Sequence, residues 1–187
     1  VRYTSTTTDG IKELVLPTDE YLLKGIVLRD VQLWALNRWL SAGGNGIVIG
    51  PPGLGKSEVA AAAIKCILQM APNAKALFVV NSLDLLMQAK ERLESRLGDG
   101  IGILGGGEQS LGTSRITVAT IQTLARGLAK KTRNEAIVET LKSVSMIIYD
   151  EVHHSRSTQT RLMMRNLPNV RWRLGLSARP FHRYDRD

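Results

Sequence analysis

The sequence contains a single cysteine, no apolar run of membrane-spanning length and no charged-then-apolar segment at its amino end. With Cys66 alone, no disulfide can form within the chain, and its position in an apolar helical pattern indicates a small core residue. The lack of a spanning run argues against a membrane partner, and the lack of a signal segment gives no indication of secretion. We therefore expect an intracellular protein, cytoplasmic or nucleoid-associated.

The composition is that of an ordinary soluble globular protein, with 43% hydrophobic and 22% charged residues. The 187 residues are enough for one sizeable domain. Lysine and arginine number 25 against 17 acidic residues, a formal net charge of +8. This excess favours a polyanionic partner, but charge alone does not separate nucleic-acid-binding proteins from other basic proteins.

The stretch from Gly50 to Ser57, GPPGLGKS, fits the phosphate-binding pattern G-x-x-x-x-G-K-[ST] at every fixed position. Its glycines let backbone N–H groups approach phosphate oxygens, Lys56 suits the β- and γ-phosphates, and the Ser57 hydroxyl suits Mg²⁺. An apolar strand precedes the loop and an apolar helix follows it, as this motif requires. A chance glycine-rich turn is the alternative. The predicted nucleotide-binding residues of the loop are Gly50, Pro51, Pro52, Gly53, Leu54, Gly55, Lys56 and Ser57.

Short apolar segments alternate with amphipathic segments along the chain. The predicted strands are residues 11–16, 46–49, 76–80, 101–104, 116–119, 144–149 and 170–176. The predicted helices are residues 28–40, 56–70, 83–97, 122–130, 134–142 and 159–166, with Asp30 as a candidate cap of the first. We expect residues 1–10 to form a loose end or an edge segment and residues 105–114 to form a loop. Buried strands alternating with helices predict an α/β fold, a mostly parallel sheet with helices on both faces.

Asp150 and Glu151 follow directly after a strongly apolar predicted strand, in YDEVHH. Ligands of parallel sheets bind beyond the carboxyl ends of the strands, so these carboxylates and the phosphate loop can meet. Asp150 is then a candidate Mg²⁺ ligand together with Ser57, and Glu151 a candidate base that polarises the attacking water. Two exposed carboxylates in a turn are the alternative. The predicted catalytic residues are Lys56, Asp150 and Glu151.

Four segments resemble motifs of the superfamily 2 helicases and translocases, specifically of their first RecA-like domain. LRDVQ resembles the adenine-reading motif, GPPGLGKS motif I, DEVH motif II in its DExH form, and GLSARP motif III. The resemblance covers about residues 28–180 and is closest to the DNA-directed group of phage helicases, excision-repair helicases and restriction-enzyme motors. It implies a RecA-like P-loop NTPase fold, ATP and Mg²⁺ as cofactors, and DNA as the partner, with RNA not excluded.

The resemblance also assigns roles outside these catalytic residues. Gln32 would pair with adenine, which suits an amide that both donates and accepts, and Arg29 would support it; an exposed helical glutamine is the alternative. The residues assigned to coupling are His153, Ser177 and Ala178. The adjacent His153 and His154 lack the i,i+4 spacing of a zinc site. Arg179 departs from the Thr or Ser that usually ends motif III, so coupling to strand separation does not follow from this motif.

Nucleic-acid contacts are assigned to small polar residues and glycines near strand ends, expected at the other lip of the sheet from the phosphate loop. They are Asn81, Ser82, Gly105, Gly106 and Thr120. Hydroxyls, amides and bare backbone N–H groups bind phosphates without reading bases. Each residue taken singly is better explained as a helix cap or turn, but together with the net charge of +8 they favour a phosphate-tracking groove.

The domain interpretation is an N-terminal extension over residues 1–27, packing on or flanking a helicase ATP-binding domain over residues 28–187. Family members bind ATP between two RecA-like domains, the second supplying arginine fingers, and that second domain is absent from this chain. We expect a motor domain, most simply of a DNA helicase, that couples ATP hydrolysis to movement and is nearly inactive alone. The alternatives are a double-strand DNA translocase of restriction or remodelling type that does not unwind, and a P-loop regulatory module that binds nucleotide without hydrolysis.

Overall fold

A computed structural model of the chain describes residues 2–5, 12–15, 23–112, 115–152 and 157–178. The helices are α1 (Asp30–Ser41), α2 (Lys56–Met70), α3 (Leu83–Leu97), α4 (Ile121–Leu128), α5 (Glu135–Ser143) and α6 (Thr158–Arg165). The strands are β1 (Arg2–Ser5), β2 (Lys12–Val15), β3 (Asn45–Ile49), β4 (Ala76–Val80), β5 (Ile101–Gly105), β6 (Glu108–Gly112), β7 (Ile116–Thr120), β8 (Met146–Tyr149) and β9 (Trp172–Ser177).

Seven strands form one sheet in the order β3-β9-β8-β4-β7-β5-β6. The neighbours within it are parallel except β5 and β6, which are antiparallel. The central strand β4 is buried along its whole length, which explains why its sequence, ALFVV, shows no polar alternation. The predicted α/β class with a mostly parallel sheet is confirmed.

Two hydrophobic cores cover the two faces of this sheet. Alternate residues of β4 point to opposite faces, Phe78 and Val80 into one core and Leu77 and Val79 into the other. The helical residues of the first core include Leu36, Ile64 and Leu86 from α1, α2 and α3, and those of the second include Leu124, Leu141 and Met163 from α4, α5 and α6. Three helices therefore cover each face.

The parallel arrangement brings the chemically interesting segments to one edge of the sheet. The phosphate loop follows β3, Asp150 follows β8, and Asn81 follows β4. Thr120 ends β7, which is parallel to β4. The expectation that the nucleic-acid residues lie at the other lip of the sheet is therefore wrong: they lie at the same carboxyl edge, displaced along it toward β5.

Three local predictions differ from the structure. Residues 105–114 do not form a simple loop, because Glu108–Gly112 forms the strand β6, which pairs with β5 through a turn at Gly106 and Gly107. The N-terminal residues contribute strand β1, paired antiparallel with β2. Asp30 is the first residue of α1 and Arg29 occupies the N-cap position.

The residues just before residue 28 pack on the domain core. Leu23 is buried in the first core together with Leu28, and the Lys24 N–H donates to the Arg96 carbonyl at 3.0 Å. Cys66 is buried in the same core, as predicted, and burial raises the pKa of its thiol to about 11, which keeps it protonated. Within the described ranges, no helix is long and apolar enough to cross a membrane.

Candidate nucleotide-binding site

The phosphate loop joins β3 to α2, and its shape depends on glycine. Gly53 and Gly55 have φ angles of 81° and 78°, in the left-handed region that side chains disfavour. A Cβ at Gly50 would lie 2.3 Å from Cδ2 of Leu54, so a side chain there would have to displace Leu54. The Gly50 N–H donates to the Ser177 carbonyl at 3.0 Å, which fixes the start of the loop against β9.

Lys56, the first residue of α2, turns its side chain back over the loop. Its Nζ donates to the carbonyl oxygens of Gly50 at 2.8 Å and Pro51 at 3.2 Å. The ammonium group thus lies at the mouth of the loop, in front of the positive end of the helix. A cation, a helix N-terminus and bare backbone in one place form a site suited to a phosphate.

Arg29 and Gln32 hold the far side of the loop. The Gln32 side chain is buried; its Oε1 accepts from the Arg29 N–H at 2.9 Å and its Nε2 donates to the Leu54 carbonyl at 2.9 Å. The Arg29 guanidinium donates to the Gly53 carbonyl at 3.1 Å and also to the Leu54 carbonyl. Both polar ends of the Gln32 amide therefore bind protein, and adenine recognition by this residue stays a prediction.

Asp150 and Glu151 follow β8, and the end of β9 lies between β8 and the strand that leads into the phosphate loop. Oδ1 of Asp150 accepts from the Glu151 N–H at 3.0 Å, and Oε2 of Glu151 accepts from the Ala178 N–H at 3.4 Å. Glu151 has a φ of 54° although it is not glycine, a conformation that costs about 1–2 kcal/mol. The backbone is thus strained at the residue predicted to be the base.

The charge on Asp150 is disfavoured by its surroundings. Burial raises the pKa of its carboxyl above 3.8, and the neighbouring Glu151 raises it further, while Lys56 and Arg92 act in the opposite direction. A bound cation would relieve this penalty. Asp150 and the Ser57 hydroxyl at the start of α2 have the oxygen donors that Mg²⁺ takes, so the residues present fit the predicted metal.

The predicted nucleic-acid residues line a cavity of about 440 Å³ between β4, β7 and the β5–β6 turn. We call this cavity the strand-end groove. Its lining residues are Asn81, Ser82, Leu83, Gly106, Gly107, Thr120, Gln122, Thr123 and Arg126. Gly105 lies behind the groove, because a Cβ there would meet Cδ2 of Leu86 at 2.5 Å. Four of the five predicted residues are therefore brought together.

The hydroxyl groups of Ser82 and Thr120 cap helices. Ser82 Oγ accepts from the Leu85 N–H at 3.3 Å, and Thr120 Oγ1 accepts from the Thr123 N–H at 3.3 Å. The helix-cap interpretation is therefore correct for both, and it also directs the N-termini of α3 and α4 toward the groove. Backbone N–H groups and helix dipoles attract phosphates there more directly than the hydroxyls do.

Gln122 and Arg126, which line the groove, were not predicted. The Gln122 Nε2 donates to the Asn81 carbonyl at 2.8 Å, and Arg126 also lines a second cavity, of about 410 Å³, beside α6. Both residues follow Thr120 within ATIQTLAR, so the i,i+4 spacing of Gln122 and Arg126 on one helix face was the available signal. The predicted coupling residue His153, and also His154 and Arg179, lie outside the described residues.

Two comparisons of sequence bear on this arrangement. Residues 25–182 match the family described as the type III restriction enzyme res subunit. The DNA 3'-5' translocase XPB2 of Sulfurisphaera tokodaii is 36% identical over 156 residues, which are 83% of this chain and 31% of the relative. Putative helicase 22 of the Sulfolobus islandicus filamentous virus is 32% identical over 167 residues, 84% of this chain and 29% of the relative. The chain thus spans less than a third of the length of either relative.

A solved structure has the same architecture. The Sulfolobus solfataricus SWI2/SNF2 ATPase core, solved in complex with dsDNA, is similar with a TM-score of 0.68 and 20% identity, over 89% of this chain and 34% of that one. At this level of identity the likeness concerns the fold alone.

Proposed function

This chain belongs to the family of the type III restriction enzyme res subunit, as the first RecA-like domain of a superfamily 2 helicase or translocase. We propose that it is the ATP-binding motor domain of a DNA-dependent ATPase. The observation that carries the proposal is the convergence of the phosphate loop, the Asp150–Glu151 pair and the Ser177–Ala178 backbone at one sheet edge. Hydrolysis of a γ-phosphate requires positioned charge more than covalent chemistry, and these groups supply charges of both signs.

The phosphate loop would bind the nucleotide with its backbone. Lys56 Nζ donates to two neutral carbonyl oxygens, and anionic phosphate oxygens are stronger acceptors, so the ammonium group can exchange its partners. Ser57 and Asp150 would hold Mg²⁺, which supplies neutralisation of the phosphate charge when it is bound. The bound cation would offset the cost of the buried negative charge on Asp150.

Glu151 is the residue we assign as the base. Its carboxylate is held toward the end of β9 by the Ala178 N–H, and its main chain is fixed by the Asp150 carboxylate. A carboxylate fixed in this way can accept a proton from a water that attacks the terminal phosphate. Because Ala178 is bonded to Glu151 and Ser177 to the first glycine of the loop, β9 links the two halves of the site.

The strand-end groove is the proposed path of the nucleic-acid backbone. Helices α3 and α4 both begin at it, and Arg126 and Gln122 add a cation and an amide to its wall. The backbone N–H groups and helix N-termini at the groove bind phosphates without reading bases, which suits movement along a strand. The relative XPB2 is described as a DNA 3'-5' translocase, which favours DNA over RNA as the track.

A second RecA-like domain is the proposed partner of the nucleotide site, because this chain spans only 31% of the first relative. The function is therefore tested in the protein that carries both domains. We expect its ATP hydrolysis to be stimulated by single-stranded or duplex DNA and to be lost, by roughly 100-fold or more, in Glu151→Gln. Steady-state ATPase assays with and without DNA, repeated with RNA, measure this.

Fork unwinding and triplex displacement separate the helicase from the translocase. DNA-stimulated hydrolysis with fork unwinding supports a helicase, whereas triplex displacement without unwinding supports a translocase. Tight nucleotide binding with no hydrolysis in the presence of either nucleic acid contradicts the motor proposal and leaves a nucleotide-binding regulatory module.

A further inference from the structure

A chain of hydrogen bonds, buried at its centre, connects β8 to the strand-end groove. The Tyr149 hydroxyl, at the end of β8, donates to Oδ1 of Asn81 at 3.1 Å and lies 3.1 Å from Oγ1 of Thr160 on α6. Thr160 Oγ1 lies in turn 2.9 Å from Oγ of Ser157, whose Oγ accepts from the Thr160 N–H at 3.1 Å. Three hydroxyl groups and one amide are thus joined in sequence.

The donor in each of these bonds follows from the number of protons available. A tyrosine hydroxyl has one proton, and Tyr149 gives it to Asn81 Oδ1, so Thr160 must donate to Tyr149. Thr160 has then used its own proton, so Ser157 must donate to Thr160. All the bonds point from α6 toward Asn81, the arrangement in which neighbouring hydrogen bonds strengthen one another.

Asn81 is the point where this chain meets both functional regions. Its Nδ2 donates to the main-chain carbonyl of Asp150 at 3.4 Å, and its own carbonyl accepts from Gln122 Nε2 at 2.8 Å. The Asp150 carbonyl can only accept, so the amide nitrogen faces it, and the Tyr149 hydroxyl holds the amide in that orientation by donating to the amide oxygen.

The bond to Asp150 acts on a peptide unit that is already strained. The Asp150 carbonyl belongs to the same peptide plane as the Glu151 N–H, which donates to Oδ1 of Asp150. That plane is held at both ends, by Asn81 and by the Asp150 carboxylate, and it leads into the left-handed main chain of Glu151. Rotation of the plane would turn the metal ligand and the base together.

We propose that Tyr149 is a positioning residue that transmits occupancy of the strand-end groove to the Asp150–Glu151 peptide through Asn81. A phosphate in the groove lies against Gln122 and the start of α3, both attached to Asn81. A displacement of Asn81 moves the Asp150 carbonyl only while the amide faces it, and Tyr149 with Thr160 keeps it there. This inference rests on the proposed motor function, whose regulation it concerns.

Tyr149→Phe tests the inference, because it removes the hydroxyl and keeps the ring. In the protein with both RecA-like domains, we expect the unstimulated ATPase rate and the concentration of single-stranded DNA at half-stimulation to change by less than about twofold. The rate at saturating DNA should fall roughly 2- to 10-fold, the factor of one net hydrogen bond. A lower stimulated rate beside an unchanged unstimulated rate is not expected from a general loss of folding, which lowers both rates by the same factor.

Two threonine variants supply the matched comparison. Thr160→Val removes the hydroxyl that donates to Tyr149, while Thr140→Val removes an equally buried one on α5 that donates to the Ala136 carbonyl at 2.7 Å. Thr160→Val should reduce stimulation as Tyr149→Phe does, and the double variant should be no worse than either, since both break one chain. Thr140→Val should leave stimulation unchanged. Thermal unfolding of all variants measures their folding separately.

If the wild-type protein is not stimulated by DNA, the motor proposal fails and this inference fails with it. If the wild type is stimulated and Tyr149→Phe is stimulated equally, the motor proposal stands and the inference is overturned. It is also overturned if Tyr149→Phe lowers the unstimulated and stimulated rates by the same factor, or if Thr140→Val has the same effect as Thr160→Val.

Discussion

The folded protein disfavours the negative charge of the Asp150 carboxylate. Its raised pKa means that, between pH 3.8 and the raised value, the folded state holds a proton that the unfolded state has released. The free energy of unfolding therefore falls as pH rises through this window, and the charged carboxylate remains a cost at neutral pH. A residue suited to a bound cation is in this way destabilising to the protein without one.

Asp150→Asn should therefore stabilise the protein when no nucleotide or Mg²⁺ is bound. Asparagine keeps an Oδ1 that can accept the Glu151 N–H and removes the buried charge. Thermal unfolding should show a higher midpoint for the variant at neutral pH, and the difference should vanish near pH 3.8. The exposed Asp99 is the matched site, because Asp99→Asn changes the net charge equally without removing a buried carboxylate. A lower midpoint for Asp150→Asn than for the wild type at neutral pH contradicts this.

At the scale of elements, the phosphate loop depends on two glycines for different reasons. Gly53 and Gly55 both have left-handed φ angles, but a Cβ at Gly53 would meet nothing within 4 Å. A Cβ at Gly55 would lie 2.2 Å from Nε2 of Gln32 and 3.3 Å from the Arg29 guanidinium. A side chain at Gly55 thus conflicts with the bonds that hold the loop to α1.

A comparison of Gly53→Ala with Gly55→Ala separates the main-chain strain from the steric conflict with Gln32. Both should lower the free energy of unfolding by about 1–2 kcal/mol, since both force alanine into the left-handed region. Gly55→Ala should lower it further and weaken Mg·ATP binding more than Gly53→Ala, because Gln32 must release the Leu54 carbonyl. Urea denaturation and calorimetric titration measure the two quantities. Equal effects of the two substitutions would show that Gln32 does not shape the loop.

How far the sequence predicts an element depends on where it lies in the sheet. β4 was predicted because a strand buried on both faces must be a continuous apolar run. β6, with the sequence EQSLG, was missed because an antiparallel edge strand with one neighbour needs no such run. The place of the phosphate loop between β3 and α2 was predicted, since the motif requires a strand before it and a helix after it.

Contacts between distant residues could not be predicted in the same way. Tyr149 is 68 residues from Asn81 and 11 from Thr160, and a tyrosine ending an apolar strand has no local feature that names its hydroxyl partners. The hydrogen bond from Gln32 Nε2 to the Leu54 carbonyl was also not predicted, since the resemblance assigns this amide to adenine. A motif indicates which ligand binds. The hydrogen bonds that position the motif join residues from different elements, so they depend on the order of the strands in the sheet.

At the scale of the whole molecule, the phosphate loop, Asp150 and Glu151 supply the binding groups on one side of the nucleotide. The proposed second domain would supply an arginine finger, a group worth roughly 10³–10⁵ in rate in nucleotide hydrolases that use one. The 187-residue chain should therefore bind Mg·ATP and turn it over more slowly than the two-domain protein by a factor of that order. The net charge of +8 adds attraction for a polyanion such as DNA.

Titration of the 187-residue chain with Mg·ATP, followed by measurement of its turnover at saturating DNA, tests whether these residues form a nucleotide site that is incomplete without a second domain. We expect saturable binding that Lys56→Ala weakens roughly 10- to 100-fold, the effect of losing hydrogen bonds from a charged group, together with turnover far below that of the two-domain protein. Binding that Lys56→Ala leaves unchanged, or turnover by the chain alone equal to that of the two-domain protein, would contradict the account.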